Sequence, residues 1–553
     1  MSPKHGFWPA LLLGCFLFFY QLGAVPLFDL DEAIYAETGR EMIATGDWLT
    51  PQFNGAPAFD KPILLYWFMA ASFKLFGLSE FSARLPSAVF GLGLLAVTYG
   101  LARAVRDVRF GLLAMLILAG SLEMVVLSHA ALTDMLLVFF TTSALACFYM
   151  IYRTGRGIWS VGLYLSMAFA VLTKGPVGLV LPGSTILLFM LTVGPWRTRL
   201  REIRLGWGIL ILSAVAAPWY AVMLWVHGSV FWDSFFLRHN IERFTSVLGG
   251  HAGTPFYYLG VLAVGFFPWA AFLPAAVVSV FTVPDFSDRW KGFRKIPMER
   301  PFEWFLLLWI SVVFGFFTLA GTKLPNYIAP AFPAMAILVA GWWNRTLDGA
   351  PSGLTRPDRL SFSLLGLLTV AIAALLLSVP RAIEWARLNY AVSAPYLAQP
   401  IELSGVLMVL AAILLIGVMT FFALFYLMRR WSGFMILVLT VGTFVFVLLF
   451  GLIPSVSRYI QTPLRDLARE TAGWIHPDEP LIVFGLKKPS ILFYARRGAI
   501  VFKSNQEENL RDFLTTHGRA VVLSPIHLIP VLNSLPGLVI REERGGYVLA
   551  TTF

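Results

Sequence analysis

Apolar runs close to twenty residues long recur along most of this chain, each closed by Arg, Gly or Pro. That spacing predicts membrane-crossing helices. The segments are 8–27, 86–102, 110–128, 134–151, 159–173, 176–193, 206–226, 256–280, 303–320, 326–343, 361–380, 404–427 and 432–453, about thirteen spans in all. The stretch 62–76 is shorter and tightly bounded, and reads as a re-entrant or interfacial helix. Beyond 453 the pattern changes. "EPLIVFG", "AVVLS" and "LVIREE…GYVLATTF" alternate or bury like strands, while "TPLRDLARETAGWI" and "NQEENLRDFLTTH" have amphipathic helical periodicity. The predicted architecture is an all-α polytopic membrane domain over 1–453, with an outer loop 28–85 that carries interfacial helices and a second outer loop 228–255. A small soluble α/β domain follows over 454–553. It has no phosphate-loop pattern and reads as an accessory lid or interaction domain.

Charge orients the spans. With 62–76 left out of the count, one set of turns is rich in Arg and Lys: 103–109, 152–157, 196–204, 288–300, 344–359 and 428–430. By the positive-inside rule these turns and the N-terminus are cytoplasmic. The opposite face, the periplasm in a bacterium, receives 28–61, 129–133, Lys174, 228–255, 321–325, 381–403 and everything after 454. A weakly basic start (Lys4, His5) precedes the first run, which is long enough to be retained as a helix rather than cleaved as a signal.

Composition agrees. The chain is 58% hydrophobic and 13% charged, where soluble domains carry about 25% charged residues. Its net charge of +11 sits in the short turns, so it is a topology signal rather than a nucleic-acid surface. Cys15 and Cys147 both lie in apolar runs, which leaves no disulfide framework and no cysteine metal site.

Candidate chemistry gathers on the outer face. "FDLDEAIYAETGREMIATGDWLTP" (28–51) follows the first run and carries three Asp and three Glu. Asp29 and Glu32 have the form of a capping box, and Gly46 suits the helix end. Asp31 and Glu32 would favour the helix dipole in the first turn. Asp31 also suits activation or orientation of an acceptor beside a membrane groove. In "APAFDKPILLYW" (56–67), Asp60 and Lys61 precede Pro62 at a helix start. Lys61 is either a phosphate ligand or a snorkelling lysine paired with Asp60. Asp134 in "LSHAALTDM" is an N-cap or a second membrane-level carboxylate. Lys174 in "VLTKGPVG" has no acidic neighbour in sequence and calls for water or an anion. "FFLRHNIERFTSVLGGHAGTPFYY" (235–258) sets His239 and Arg243 at i,i+4. His239, Glu242 and His251 form a weakly patterned candidate set for a divalent metal such as Zn, Mg or Mn. "LAGTKLPNYIAP" adds Lys323 and Tyr327. Together these suit an anionic lipid headgroup and a polar acceptor.

"LDEAIYAETGREMIATGDWLTPQFNG…FDKPILLYW", "TDM", "LTKGP", "RHNIERF…HAGTPFYY" and "GTKLPNYI" stand in an order and spacing that resembles the aminoarabinose transferase branch of the protein-mannosyltransferase superfamily. The resemblance covers roughly 8–345 and implies a GT-C glycosyltransferase fold. It implies transfer of 4-amino-4-deoxy-L-arabinose from undecaprenyl phosphate to a phosphate of lipid A at the bacterial inner membrane, with resistance to polymyxin and cationic peptides as the outcome. By motif, Asp31 and Asp134 match the catalytic carboxylates, and Lys61, Lys174 and Lys323 match the donor-phosphate positions. Glu32, Tyr35, Arg40, Asp60, His239, Arg243 and Tyr327 would line the cavity. The carboxylates Asp31, Glu32 and Asp134 would suit the cationic amine of the sugar. The motif departs from the enterobacterial form at Asp60, where F-E-K-P is usual, and at "RHNIERF" in place of E-H-I-x-R-F. The expected partners are the lipid-linked donor, the lipid A acceptor and the bilayer, with no nucleic acid, and the expected state is a monomer. The rivals are a protein O-mannosyltransferase, another polyprenyl-phosphate sugar transferase and, more distantly, a lipid transporter. A transporter would show internal repeats and midplane charges, and neither is evident.

Overall fold

The computed structural model describes residues 6–194, 200–281, 298–348, 355–390, 400–476 and 479–553. Parts of the predicted cytoplasmic turns 196–204, 288–300 and 344–359, and of the outer loop 381–403, lie outside the described residues.

Each predicted apolar segment contains helix. The first half runs through α1 (Phe7–Phe19), α2 (Asp31–Thr45), α3 (Leu64–Phe76), α4 (Glu80–Val105), α5 (Val108–Ala119), α6 (Leu122–Ser128), α7 (Thr133–Thr154), α8 (Ile158–Lys174) and α9 (Val177–Thr192). Among the described residues, six helices are long and apolar enough to cross a membrane, or up to nine if each bent pair is one span. The expected count of about thirteen is therefore not reached by length alone. The 110–128 segment bends by 68° between α5 and α6, the 206–226 segment bends by 44°, and the 256–280 segment bends by 113° near Pro268. A proline that cannot donate a backbone bond accounts for the sharpest of these breaks. The first run also differs from expectation: α1 ends at Phe19, where Tyr20 turns extended and Gln21 adopts a positive φ of 62°. The stretch 62–76 forms the 13-residue α3, too short to cross.

Between α2 and α3, β1 (Gln52–Phe53) and β2 (Ala56–Pro57) pair antiparallel around Asn54-Gly55. Both turn residues have positive φ, 53° and 73°, as a two-residue hairpin of this twist requires.

The last hundred residues form a small α/β unit, as expected, built on a mixed sheet. Its strands are β3 (Leu481–Phe484), β4 (Ile500–Phe502), β5 (Val521–Pro525), β6 (Val539–Arg544) and β7 (Tyr547–Thr551), in the order β4-β3-β5-β7-β6. β3 is parallel to β4 and β5, while β7 is antiparallel to β5 and β6. Every residue of β3 and β5 is buried, because helices cover both faces. One apolar cluster joins this domain to α2 and α3, including Met69 and Phe73 from α3 and Ile491 and Phe493 from the terminal domain.

Candidate active site

The first outer loop builds one wall of a cavity. α2 begins at Asp31 and ends at Gly46, whose φ of 75° and N–H to the Met42 carbonyl make the expected left-handed stop. The expected capping box does not form. Leu30 precedes the helix with no side-chain cap, and Glu32 accepts the Phe28 N–H at 2.8 Å. Asp29 turns away to the terminal domain. Gly39 lets α2 lie close against α3, since a Cβ there would meet Met69 and Phe73 at 3.2 Å. Asp31 and Tyr35, one turn apart on α2, face the cavity.

The other walls come from distant segments. Asp60 and Lys61 lie just before α3, which starts at Leu64 rather than at Pro62. Asp134 stands in the first turn of α7 and Lys174 is the last residue of α8. From Trp232 to Glu242 the chain winds as a wide π-helix. Phe235 and His239 from this segment and Arg243 just after it, at successive i,i+4 positions, line the cavity. Tyr327 closes the ring from the short 3₁₀ turn Pro325–Ala331. The cavity measures about 440 Å³.

Its charges are mostly paired, and the exception is informative. Lys174 Nζ donates to Asp134 Oδ1 at 2.5 Å, so Asp134 is not the N-cap and Lys174 is not solitary. His239 Nε2 lies 2.9 Å from Asp60 Oδ1, which holds the Asp60 carboxyl below its usual range. Arg243 Nε donates to the Tyr327 hydroxyl at 2.7 Å, and the Lys174 ammonium sits 5.2 Å from the centre of the Tyr327 ring. Among the described residues Lys61 donates only to the Asp60 carbonyl, at 3.0 Å. Burial, with Arg243 and Lys174 nearby, holds the Lys61 ammonium down to about 8. Asp31 is exposed and makes no hydrogen bond or ion pair among the described residues.

A second cavity of about 480 Å³ adjoins the first. Asp31, Arg243, Leu324 and Asn326 line both. The unpaired carboxylate and the arginine therefore stand at a junction. Asp29, His129 and His251 belong to the second cavity only.

Three predicted residues have other work, and a fourth stands outside both cavities. Glu32 is 5% exposed and bound at both oxygens by Arg84, at 2.7 and 2.9 Å, and it also accepts the Ala131 N–H. It borders the second cavity, but no free oxygen remains for a substrate amine. Arg40 forms a two-bond pair with Glu37 and lines neither cavity. Lys323 donates to the Thr318 and Ala320 carbonyls, both at 2.8 Å, and so closes the end of helix Pro301–Leu319 rather than facing the first cavity. Glu242 is exposed and lines neither cavity. Among the described residues no three His, Cys, Asp or Glu side chains converge as a metal site. His239 meets Asp60 instead of Glu242 and His251, so the expected ligand set is not assembled. Sequence reasoning missed Arg84, whose role depends on Glu32 52 positions away. It also missed Phe235 and Asn326 as cavity walls, since neither residue type carries a signal in its own segment.

Comparison with known proteins places this geometry. Residues 60–223 match the family model for dolichyl-phosphate-mannose-protein mannosyltransferases. An undecaprenyl phosphate-α-4-amino-4-deoxy-L-arabinose arabinosyl transferase from Pectobacterium carotovorum is 30% identical over 522 residues, 91% of this chain and 87% of that protein. The chain belongs to this arabinosyl transferase family. A member from Aeromonas hydrophila is 32% identical over 377 residues, 66% of this chain; the match spans 65% of that relative's length. The fold is shared with ArnT from Cupriavidus metallidurans bound to undecaprenyl phosphate, at a TM-score of 0.79 and 23% identity, covering 99% of this chain and 98% of that one. The expected GT-C type of fold is thereby found.

Proposed function

We propose that this chain transfers 4-amino-4-deoxy-L-arabinose from undecaprenyl phosphate to a phosphate of lipid A. The observation that carries the reading is Asp31, the unpaired carboxylate at the junction of two cavities, facing a wall of Lys61, Lys174 and Arg243. Two substrates must meet at one point, and two cavities meet there. The named relatives act with the same donor and sugar.

In this reading the carrier phosphate lies against Lys61 and Arg243. The bond from the anomeric carbon to the carrier oxygen breaks, and its electron pair stays on the phosphate. The two cations stabilise the charge that develops there. An acceptor oxygen entering from the second cavity attacks the opposite face of the anomeric carbon, so the reaction inverts. A lipid phosphate oxygen is already anionic and needs no strong base, so Asp31 orients it or holds the cationic amine of the sugar. For a hydroxyl acceptor, Asp31 takes the proton. Asp134, held by Lys174, keeps that ammonium in place beside Tyr327. No step is assigned to a metal.

The Arg- and Lys-rich turns support an inner-membrane enzyme with a cytoplasmic N-terminus and a periplasmic site and terminal domain. The active unit in this reading is a monomer.

The test is mass spectrometry of lipid A from a Gram-negative host that makes the donor but lacks its own transferase. Complementation with the native chain is expected to add the aminopentose and raise polymyxin resistance, and Asp31→Asn is expected to cut the addition by about 100-fold or more. Full activity of Asp31→Asn would remove its role. Unmodified lipid A, with protein and donor both present, would turn the reading toward a protein hydroxyl as acceptor.

A further inference from the structure

α2 carries Asp31 and Tyr35 into the site, yet its own packing leaves both ends in loops. Each end is tied to the terminal domain. Just before the helix, Asp29 Oδ1 accepts the Ser490 amide N–H at 2.9 Å and Oδ2 accepts the Ser490 hydroxyl at 3.0 Å. The Lys488 ammonium adds its charge at 3.6 Å, and the Asp29 side chain is only 3% exposed. Two residues upstream, the Leu27 N–H donates to the Tyr494 hydroxyl at 2.7 Å. Near the far end, Glu41 accepts the N–H groups of Asn54 and Gly55 at 2.8 and 3.1 Å. The Asn54 amide then exchanges two bonds with the Ala499 backbone, both at 2.9 Å. The bonds to Ser490, Tyr494 and Ala499 are buried or half-buried and each spans more than four hundred positions, unlike surface ion pairs of little consequence.

We propose that the terminal α/β domain is a positioning element of the transfer site: through Ser490 on Asp29 and Ala499 on Asn54, it fixes the helix that presents Asp31. Asp31 has no bond of its own to hold it among the described residues, so its placement depends on the backbone beneath it. That backbone is anchored two residues away at Asp29. A group that must act within a fraction of an ångström gains from this kind of outer support. The inference deepens the proposed transfer reaction and, for its kinetic part, rests on that reading.

The experiment uses the full-length chain in lipid nanodiscs, comparing native protein, Ser490→Ala, Asn54→Ala, the double variant and Ser490→Thr. Hydrogen exchange over 31–38 is read together with steady-state transfer. In the double variant, amides of the first two turns of α2 are expected to exchange about tenfold faster, with the spans unchanged. The kcat is expected to fall by about tenfold or more with KM for the donor within about twofold. Ser490→Thr keeps the hydroxyl and is expected to restore both. If the double variant fails to fold, Lys488→Gln serves as the milder test, with an expected two- to threefold change in both readouts, about the size of one weak pair. Unchanged exchange would overturn the proposal. Faster exchange with unchanged kcat would also overturn it, leaving a docking contact only. If the native chain transfers no sugar, the proposed reaction falls. The exchange data then still decide whether the terminal domain holds the helix.

Discussion

The Lys174 ammonium meets the Asp134 carboxylate at 2.5 Å, joining the last residue of α8 to the first turn of α7. The side chains are 15% and 7% exposed. Removing one partner of a buried pair strands the other's charge, whereas removing both does not. Lys174→Met is expected to cost about 3 kcal/mol of stability, and Lys174→Met combined with Asp134→Leu distinctly less. Thermal unfolding of the purified variants checks this. A double-variant loss equal to the sum of the Lys174→Met and Asp134→Leu losses would show that the pair is not coupled.

Lys61 gives binding a pH signature. Its ammonium is held down to about 8, and a phosphate prefers the charged form. Affinity for undecaprenyl phosphate is therefore expected to be full below about pH 8 and to fall above it, by up to about tenfold per pH unit. The empty protein should behave oppositely. A lysine in the unfolded chain keeps its proton to about 10.4. Between the two values the unfolded state binds more protons, so this group makes the folded state more stable as pH rises. Fluorescence or calorimetric titration from pH 6.5 to 9.5 reads the first effect, and Lys61→Arg is expected to flatten it.

Arg84 and Glu32 predict a change in stability rather than in binding. Arg84 also donates to the carbonyls of Leu22, Val25 and Pro26 at 3.1, 2.8 and 2.9 Å, so it fastens the loop after α1 to α2. Glu32→Gln is expected to lower stability by about 3 kcal/mol, with donor affinity changed by less than about twofold. A larger affinity loss at full stability would return Glu32 to the substrate site.

Lys323 separates two readings of an isolated lysine. As a cap on helix Pro301–Leu319 it is expected to cost about 1–2 kcal/mol when changed to Met, with donor affinity changed by less than about twofold. A tenfold or greater loss of donor binding would restore the phosphate role.

Local signals were legible in the chain. The stop at Gly46, the start of α7 near Asp134, the helical character of each apolar run and the main strands of the terminal domain all follow from period, caps and turn residues that lie side by side. The i,i+4 spacing of His239 and Arg243 also survives, although the segment winds more widely than an α-helix. Partners were not legible. Lys174 looks solitary because Asp134 is 40 positions away. Asp29 resembles a cap because nothing near it announces Ser490. Lys323 looks available because the carbonyls at a helix end have no letter of their own. Bends likewise escaped a length count: a 113° turn near Pro268 divides what reads as one continuous apolar run.

Asp29 and Ser490 are 461 positions apart, and that separation sets an order of assembly. The ribosome releases the acidic helix early and its holders near the end. The membrane part can be inserted and packed while the loop above it still lacks its anchor. Under the proposed positioning role, a nascent chain already in the bilayer would carry the cavity before Ser490 and Ala499 could fix the helix that lines it.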